Sequence, residues 1–215
     1  KFKSCSRNQI EKPLGEIQGA FFFAVSPALF GPDMMPTPTF RHAVPRDTAR
    51  CFEIESTAYE GDEAATQEKI ATRIAQYPQG FLVMESDGQI IGFINSGCAH
   101  DVVMADEAFK ELVGHDPLAP HVVIMSVVID PAHQGRGHTM PMMRTFVDEM
   151  RRNGKKSIHL MCRERHVGLY ERLGYRYVKP SASDHGGLVG EEMVMELALS
   201  TSSSRGCIAA AAGSS

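Results

Sequence analysis

An apolar run from Val122 to Ile129 stands out in the middle of the chain. A central strand is covered on both faces, so such a run is typical of a strand in the middle of a sheet. Residues 81–85 and 90–95 read as two further strands, because Asp87-Gly88 between them is a strong hairpin signal. Shorter strands are predicted at 39–44, 157–162 and 193–199.

Apolar residues at helical spacing predict helices between these strands. After the central strand, Met143, Phe146 and Met150 share one helical face. This helix should begin at Thr139 and end at Asn153-Gly154, which is a good stop signal. Further helices are predicted at 47–59, at about 63–77, at 105–112 and around Tyr170, the last with Gly174 as its left-handed cap. The order of elements predicts an α/β fold, with a mixed central sheet flanked by helices on both faces.

A glycine-rich turn joins the central strand to the helix that follows it. Its sequence is Asp130-Pro131-Ala132-His133-Gln134-Gly135-Arg136-Gly137-His138. A strand that breaks into such a turn and then a helix presents unpaired backbone N–H groups at the positive end of the helix dipole, and both favour an anion. The turn therefore indicates a phosphate-bearing cofactor, although a tight turn without a ligand would have the same local residues.

Two common phosphate-binding motifs do not fit this turn. A P-loop is excluded because no Lys-Ser/Thr pair follows the glycines. The Rossmann fingerprint fails because Met140 stands where its third glycine should be.

The composition indicates one enzyme-sized domain. The chain has 215 residues, 43% of them hydrophobic, which is enough for a sizeable core. A net charge of −4 argues against a nucleic-acid partner, which would require a basic face. The five cysteines are scattered, which fits reduced thiols in a cytoplasmic protein and offers no zinc site. The histidines are equally unclustered, so we expect no metal.

The two ends differ from the middle. Residues 1–38 contain a short apolar run followed by several prolines, and we expect a flexible extension. The run is too short to cross a bilayer, so no membrane association is predicted. Residues 200–215 are rich in Ser, Ala and Gly and are predicted to be disordered. The folded domain is therefore expected at 39–199, as a monomer.

A second motif follows the glycine-rich turn after one more strand. It is the segment Tyr170-Glu171-Arg172-Leu173-Gly174-Tyr175. The order Ile-x-Pro-x-x-Gln-x-x-Gly-x-small, helix, strand, then Tyr-x-x-x-Gly-aromatic resembles the GNAT superfamily of acetyl-CoA-dependent N-acetyltransferases. Three other segments look like the arylalkylamine (serotonin-type) members, which acetylate compact aromatic amines: Arg41-His42-Ala43-Val44-Pro45, Phe52-Glu53-Ile54-Glu55 with Ala58-Tyr59, and Leu160-Met161-Cys162.

The resemblance implies a fold, a cosubstrate and site residues. The central parallel strands of the sheet would splay apart, and acetyl-CoA would bind between them. Its pantetheine arm would bond to the main chain of Val127, Val128 and Ile129. Its pyrophosphate would be held mainly by backbone amides, with Arg136 adding charge at the rim. The residues implied for the pyrophosphate are Gln134, Gly135, Arg136, Gly137, His138, Thr139 and Met140.

The implied reaction is direct attack of a neutral amine on the thioester in a ternary complex. Tyr170 would donate a proton to the departing CoA thiolate. The vertebrate members carry two histidines on the central strand, and the matching positions here are Val123 and Met125. That leaves three options for the base: Glu63, which resembles a glutamate of the insect branch; His121, which shares strand phase with those positions; or a water chain.

The acceptor is expected to be a small amine. Tyr59 and Met161 match positions that line the aromatic pocket in the family. Six carboxylates lie between Glu53 and Glu68 with no Lys or Arg among them. They would attract a cationic amine if they line the entrance, or they form a solvated acidic helix. Polyamine or peptide acetylation, and CoA binding without catalysis, stay open as alternatives.

Overall fold

The computed structural model describes residues 37–59, 64–185 and 188–197. Within them, four α-helices pack on the two faces of one seven-stranded sheet. The elements are β1 (Thr39–His42), α1 (Thr48–Ala58), α2 (Gln67–Gln76), β2 (Phe81–Ser86), β3 (Gln89–Ala99), β4 (His121–Ile129), α3 (Thr139–Arg152), β5 (Ser157–Cys162), α4 (Val167–Arg172), β6 (Arg176–His185) and β7 (Leu188–Glu196).

The strand order is β1-β2-β3-β4-β5-β7-β6. Only the β4–β5 pair is parallel, and the other neighbours run antiparallel. The β2–β3 hairpin turns at Asp87-Gly88, where both residues have positive φ. The mixed sheet with helices on both faces confirms the predicted fold class.

The β4–β5 pair opens along its length. Cα pairing runs only from His121↔Ser157 to Val123↔His159. Beyond that point, β5 pairs with β7 alone, and residues 124–129 of β4 have no partner on the β5 side. The sheet therefore splays at its two central strands, as expected, and leaves a gap beside the carboxyl half of β4.

A bulge in β4 lies where this gap begins. Opposite β3, the register passes from Ser96↔Ile124 to Asn95↔Ser126, so Met125 is an extra residue. An extra residue reverses the face on which the following side chains lie. Ile124 accordingly packs in the core beside α3, whereas Ser126 faces α1.

The core has two parts, one on each face of the sheet. The part beside α3 contains its apolar stripe of Met142, Met143, Phe146, Val147 and Met150. The part on the other face holds Cys51 and Ile54 of α1 and Ile70 and Ile74 of α2. Most of the sequence-based boundaries lie within a residue or two of these elements.

Several elements differ from prediction. Strand β3 ends at Ala99, four residues beyond the expected end at Asn95. Helix α2 begins at Gln67, because the Thr66 side chain caps the Lys69 amide at 3.4 Å. The predicted start at Glu63 lies outside the described residues. The segment 105–112 forms only a 3-10 helix, Glu107–Glu111. Strand β6 was not predicted, and β7 begins at Leu188, earlier than the expected residue 193.

The expected extension at 1–38 and tail at 200–215 lie almost wholly outside the described residues and stay predictions. No helix in the described part of the chain is long and apolar enough to cross a membrane.

Candidate active site

The splay between β4 and β5 leads into a cavity of about 760 Å³. Its wall is built from residues 123–129 of β4, 160–162 of β5, the glycine-rich turn, and parts of α1, α2 and α4. A volume of this size suits a bound small molecule. The cavity therefore brings together the two motifs that stand about 35 residues apart in the sequence.

The glycine-rich turn forms one end of this cavity. Asp130 caps a single 3-10 turn, Pro131–His133, by accepting the Ala132 amide at 2.9 Å. Gly135 and Gly137 have φ of 75° and 79°, a left-handed conformation that favours glycine. No side chain caps the first turn of α3. The positive end of a 14-residue helix thus points at this end of the cavity.

A half-buried ion pair fixes the start of this turn. Arg50 of α1 pairs with Asp130 and donates to the Ile90 carbonyl at 3.1 Å. Burial alone would raise the pKa of Asp130, but the Ala132 amide and the Arg50 guanidinium lower it. The carboxylate therefore stays charged, and α1 holds the turn in place.

Most of the residues predicted to bind the cosubstrate line the cavity. Arg136 and Met140 do not, and the Arg136 guanidinium donates to the Ala132 carbonyl at 3.2 Å. Gln134 donates its side-chain amide to the Ile129 carbonyl at 2.9 Å, so its side chain shapes the turn. The predicted residues that line the cavity are Val127, Val128, Ile129, Gln134, Gly135, Gly137, His138 and Thr139. His133 also lines it and was not predicted.

Tyr170 of α4 lies in the cavity wall and is buried. Burial, followed by Tyr59 and Cys162, raises its pKa. Its ring meets the edge of Tyr175, with centroids 5.7 Å apart. A buried phenol with a raised pKa keeps its proton throughout the physiological range, so it can act as a hydrogen-bond donor or a general acid.

A cysteine lies in the same wall. Burial, with a smaller contribution from Glu191, raises the pKa of Cys162 to about 11. The thiolate is the nucleophilic form of cysteine. Cys162 is therefore a protonated and weakly nucleophilic thiol at neutral pH.

The opposite end of the cavity carries a buried carboxylate that sequence reasoning missed. Glu55 of α1 is 1% exposed and lines the cavity. Its Oε1 accepts the Ser126 hydroxyl at 2.9 Å and the Ala65 amide at 3.3 Å. Burial raises its pKa. A signal was present, since Glu55 is four residues after the buried Cys51 on the same helical face.

Of the two side chains predicted as the base, the structure describes only His121. Glu63 lies outside the described residues. His121 lies at the paired end of β4, where its Nδ1 is 2.7 Å from the Ser157 hydroxyl, and it does not line the cavity. Of the predicted acceptor residues, both Tyr59 and Met161 line the cavity. Across the described residues, no group of three or more His, Cys, Asp or Glu side chains could hold a metal ion.

Comparison with known proteins gives one family. A model of the acetyltransferase (GNAT) family matches residues 46–175, which include the glycine-rich turn and Tyr170. No curated protein matches the chain.

Solved structures share the fold at low sequence identity. The match to the loading GNATL domain of CurA from Lyngbya majuscula has a TM-score of 0.67 at 15% identity, and it covers 75% of this chain and 98% of that domain. The match to the yncA protein of Salmonella typhimurium, solved with its cofactor acetyl-CoA, has a TM-score of 0.56 at 24% identity and covers 75% of this chain and 94% of that chain. The match to the ribosomal-protein-S18-alanine N-acetyltransferase of Escherichia coli has a TM-score of 0.57 at 16% identity, and it covers 78% of this chain and 98% of that enzyme.

Proposed function

Because the chain belongs to the acetyltransferase (GNAT) family, we propose that it transfers the acetyl group of acetyl-CoA to the primary amine of a small arylalkyl amine. The amine attacks the thioester directly while both substrates are bound. The observation that carries this proposal is the shared cavity, in which an unpaired strand edge, a helix N-terminus and the protonated phenol of Tyr170 meet.

The residues at the end of the cavity that the glycine-rich turn forms fit acetyl-CoA. The open edge of β4 at 124–129 offers main-chain groups to an extended amide-containing arm, as an added strand would use them. The glycine-rich turn and the uncapped start of α3 suit its diphosphate. When bound, acetyl-CoA supplies an activated acyl group on a thiol leaving group.

The residues at the reacting end support direct transfer. We expect a main-chain N–H near the β4 bulge to stabilise negative charge on the acetyl oxygen. Tyr170 then protonates the departing sulfur. The raised pKa of Cys162 argues against an acyl-enzyme intermediate, because an unactivated thiol would have to attack first.

The acceptor class rests on the sequence resemblance and on the wall opposite the glycine-rich turn. Tyr59, Phe109 and Met161 give that wall aromatic and apolar surface, which suits a compact aromatic amine. The solved structures named above share the fold alone and carry no information on the acceptor, so the amine itself is what the experiment must identify.

A spectrophotometric screen of thiol release from acetyl-CoA tests the proposal. Tryptamine and phenylethylamine are compared with spermidine and with a short peptide, each against a blank without amine. We expect turnover with the arylalkyl amines. Turnover with the polyamine or the peptide alone would replace the acceptor class. Acetyl-CoA binding without thiol release from any acceptor would indicate a non-catalytic CoA-binding module.

A further inference from the structure

Four polar side chains form a buried cluster beneath the acceptor end of the cavity. They are Glu55 of α1, Arg73 of α2, Asn95 of β3 and Ser126 of β4, and all are buried. Asn95 and Ser126 are Cα partners across β3 and β4. The cluster therefore connects α1 to β4, the strand that carries the bulge, and α2 to the neighbouring strand β3.

Hydrogen bonds join its members in two pairs. The Ser126 hydroxyl donates to Oε1 of Glu55 at 2.9 Å, and the Arg73 guanidinium donates to the side-chain oxygen Oδ1 of Asn95 at 3.3 Å. Arg73 also donates to the Lys110 main-chain carbonyl at 2.9 Å. Glu55, Arg73 and Ser126 each line the cavity, so the cluster forms part of its wall.

Two atoms of this cluster have no hydrogen-bond partner among the described residues. They are Oε2 of Glu55 and Nδ2 of Asn95. A buried carboxylate oxygen without a partner is costly, and such groups concentrate where a protein needs their chemistry. A purely structural tie between α1 and the sheet would need only one hydroxyl or amide at position 55.

The carboxylate of Glu55 lies near one positively charged side chain but forms no ion pair with it. Arg73 acts on the carboxylate electrostatically, but no ion pair between them is present in the described part of the chain. Burial raises the pKa of Glu55, while Ser126, the Ala65 amide and Arg73 lower it, and the net shift is upward. The carboxylate is therefore a better proton acceptor than an exposed glutamate.

Among the described residues, the other titratable groups near Glu55 are less suited to this role. Cys51, one turn earlier on α1, interacts with Glu55, and burial raises the pKa of that thiol to about 12. Lys69 and Lys110 line the same end of the cavity, and Lys69 pairs with Glu111. Apart from the buried Glu55, the described carboxylates that line the cavity are Asp106 and Glu111, and both residues are exposed.

We propose that Ser126 and Glu55 form a proton relay that deprotonates the acceptor amine. One N–H bond of the bound ammonium breaks as its proton passes to the Ser126 oxygen, and the hydroxyl proton of Ser126 passes to Oε1 of Glu55. The electron pair stays on the nitrogen, which attacks the thioester as a neutral amine. The inference rests on the proposed function and names the group that prepares its acceptor.

The test compares three variants and one control variant with the wild type, using acetyl-CoA and whichever amine of the screen turns over. Glu55→Gln keeps an oxygen for the Ser126 and Ala65 bonds but cannot take a proton. Ser126→Ala removes the hydroxyl that links Glu55 to the cavity, and Ser126→Thr keeps a hydroxyl at this position. Glu68→Gln is the matched control, since Glu68 lies on the adjacent helix α2 but is exposed and does not line the cavity. The readouts are kcat/KM as a function of pH, acetyl-CoA affinity by calorimetry, and thermal melting.

The relay predicts a specific pH signature. In the wild type, kcat/KM falls as the pH drops through the pKa of Glu55, because a protonated carboxyl cannot accept a proton. In Glu55→Gln, kcat falls about 100-fold, this limb disappears, and the rate follows the free-amine fraction alone. Ser126→Ala behaves like Glu55→Gln, Ser126→Thr recovers most of the rate, and acetyl-CoA affinity stays within about twofold in each folded variant.

Each contrary outcome overturns a specific part of the proposal. A Glu55→Gln variant with wild-type kcat and pH profile removes the relay and leaves the acetyltransferase proposal standing. If Glu55→Gln does not fold, a fully active Ser126→Ala variant overturns the relay by itself. A wild-type protein without turnover on any amine refutes the proposed function, and the relay with it.

Discussion

Replacing Tyr170 with phenylalanine separates catalysis from folding at this site. The change removes one oxygen and keeps the ring, which is buried against Tyr175. In the described part of the chain, the Tyr170 hydroxyl has no hydrogen-bond partner. It lies in the wall of the cavity, where the leaving thiol is expected.

The two effects of this change differ in size. The loss of a hydroxyl that makes no protein hydrogen bond should change the free energy of unfolding by less than about 1 kcal/mol. The loss of a general acid should lower kcat by about 100-fold, which corresponds to about 2.7 kcal/mol in the activation barrier. We therefore expect a melting temperature within a few degrees of the wild type, unchanged acetyl-CoA affinity and a large fall in kcat.

The pH dependence of the wild type gives a second readout for Tyr170. A general acid works only while protonated, and burial moves the pKa of Tyr170 above its ordinary value of 10.0. The kcat should accordingly show no fall between pH 7 and pH 10 that depends on Tyr170.

Tyr175→Phe is the matched control for this experiment. The Tyr175 hydroxyl is buried without a partner, and the residue does not line the cavity. Its removal should leave kcat unchanged and keep or slightly raise the free energy of unfolding. Thiol-release kinetics, calorimetry and thermal melting measure all three quantities. A Tyr170→Phe variant with wild-type kcat, or equal losses of kcat in both variants, would refute the role given to Tyr170.

Three further changes test other parts of the site. In Gly92→Ala, the added Cβ would lie 2.7 Å from the Val128 carbonyl oxygen, so β4 must shift. Acetyl-CoA affinity should fall at least tenfold by calorimetry, with about 1–3 kcal/mol of stability lost in urea melts. In Gly190→Ala, the Cβ would overlap the Met161 sulfur and push that side chain into the cavity, so KM should rise for the amine and stay unchanged for acetyl-CoA. Arg50→Met should raise KM for acetyl-CoA several-fold at constant kcat, because it frees the carboxylate that starts the glycine-rich turn.

Local patterns predicted the elements that build the cofactor end. The hairpin at Asp87-Gly88, the central strand and the helix from Thr139 were all placed within a residue or two. Strand β6 was missed because its sequence includes Lys179-Pro180 and several small polar residues, which carry little strand propensity. Its pairing with β7 supplies what local preference lacks.

The acceptor end could not be predicted in the same way. The apolar run at 122–129 indicated a strand buried on both faces, but its pattern does not reveal the bulge at Met125. That bulge decides that Ser126 faces α1 rather than α3. Glu55 was one member of an acidic stretch that is compatible with a solvated helix, and only its contact with Ser126 identifies it as a buried group.

The local pattern of residues is enough to locate the sheet's centre, the glycine-rich turn and the tyrosine motif, because each depends on neighbours within a few residues. Conformations such as the positive φ of Gly135 and Gly137 are properties of the local chain. The identity of the carboxylate in the cavity, in contrast, follows from contacts between segments that are distant in the sequence. Glu55 and Ser126 are 71 positions apart in the sequence, and burial and proton affinity arise from packing between such distant segments.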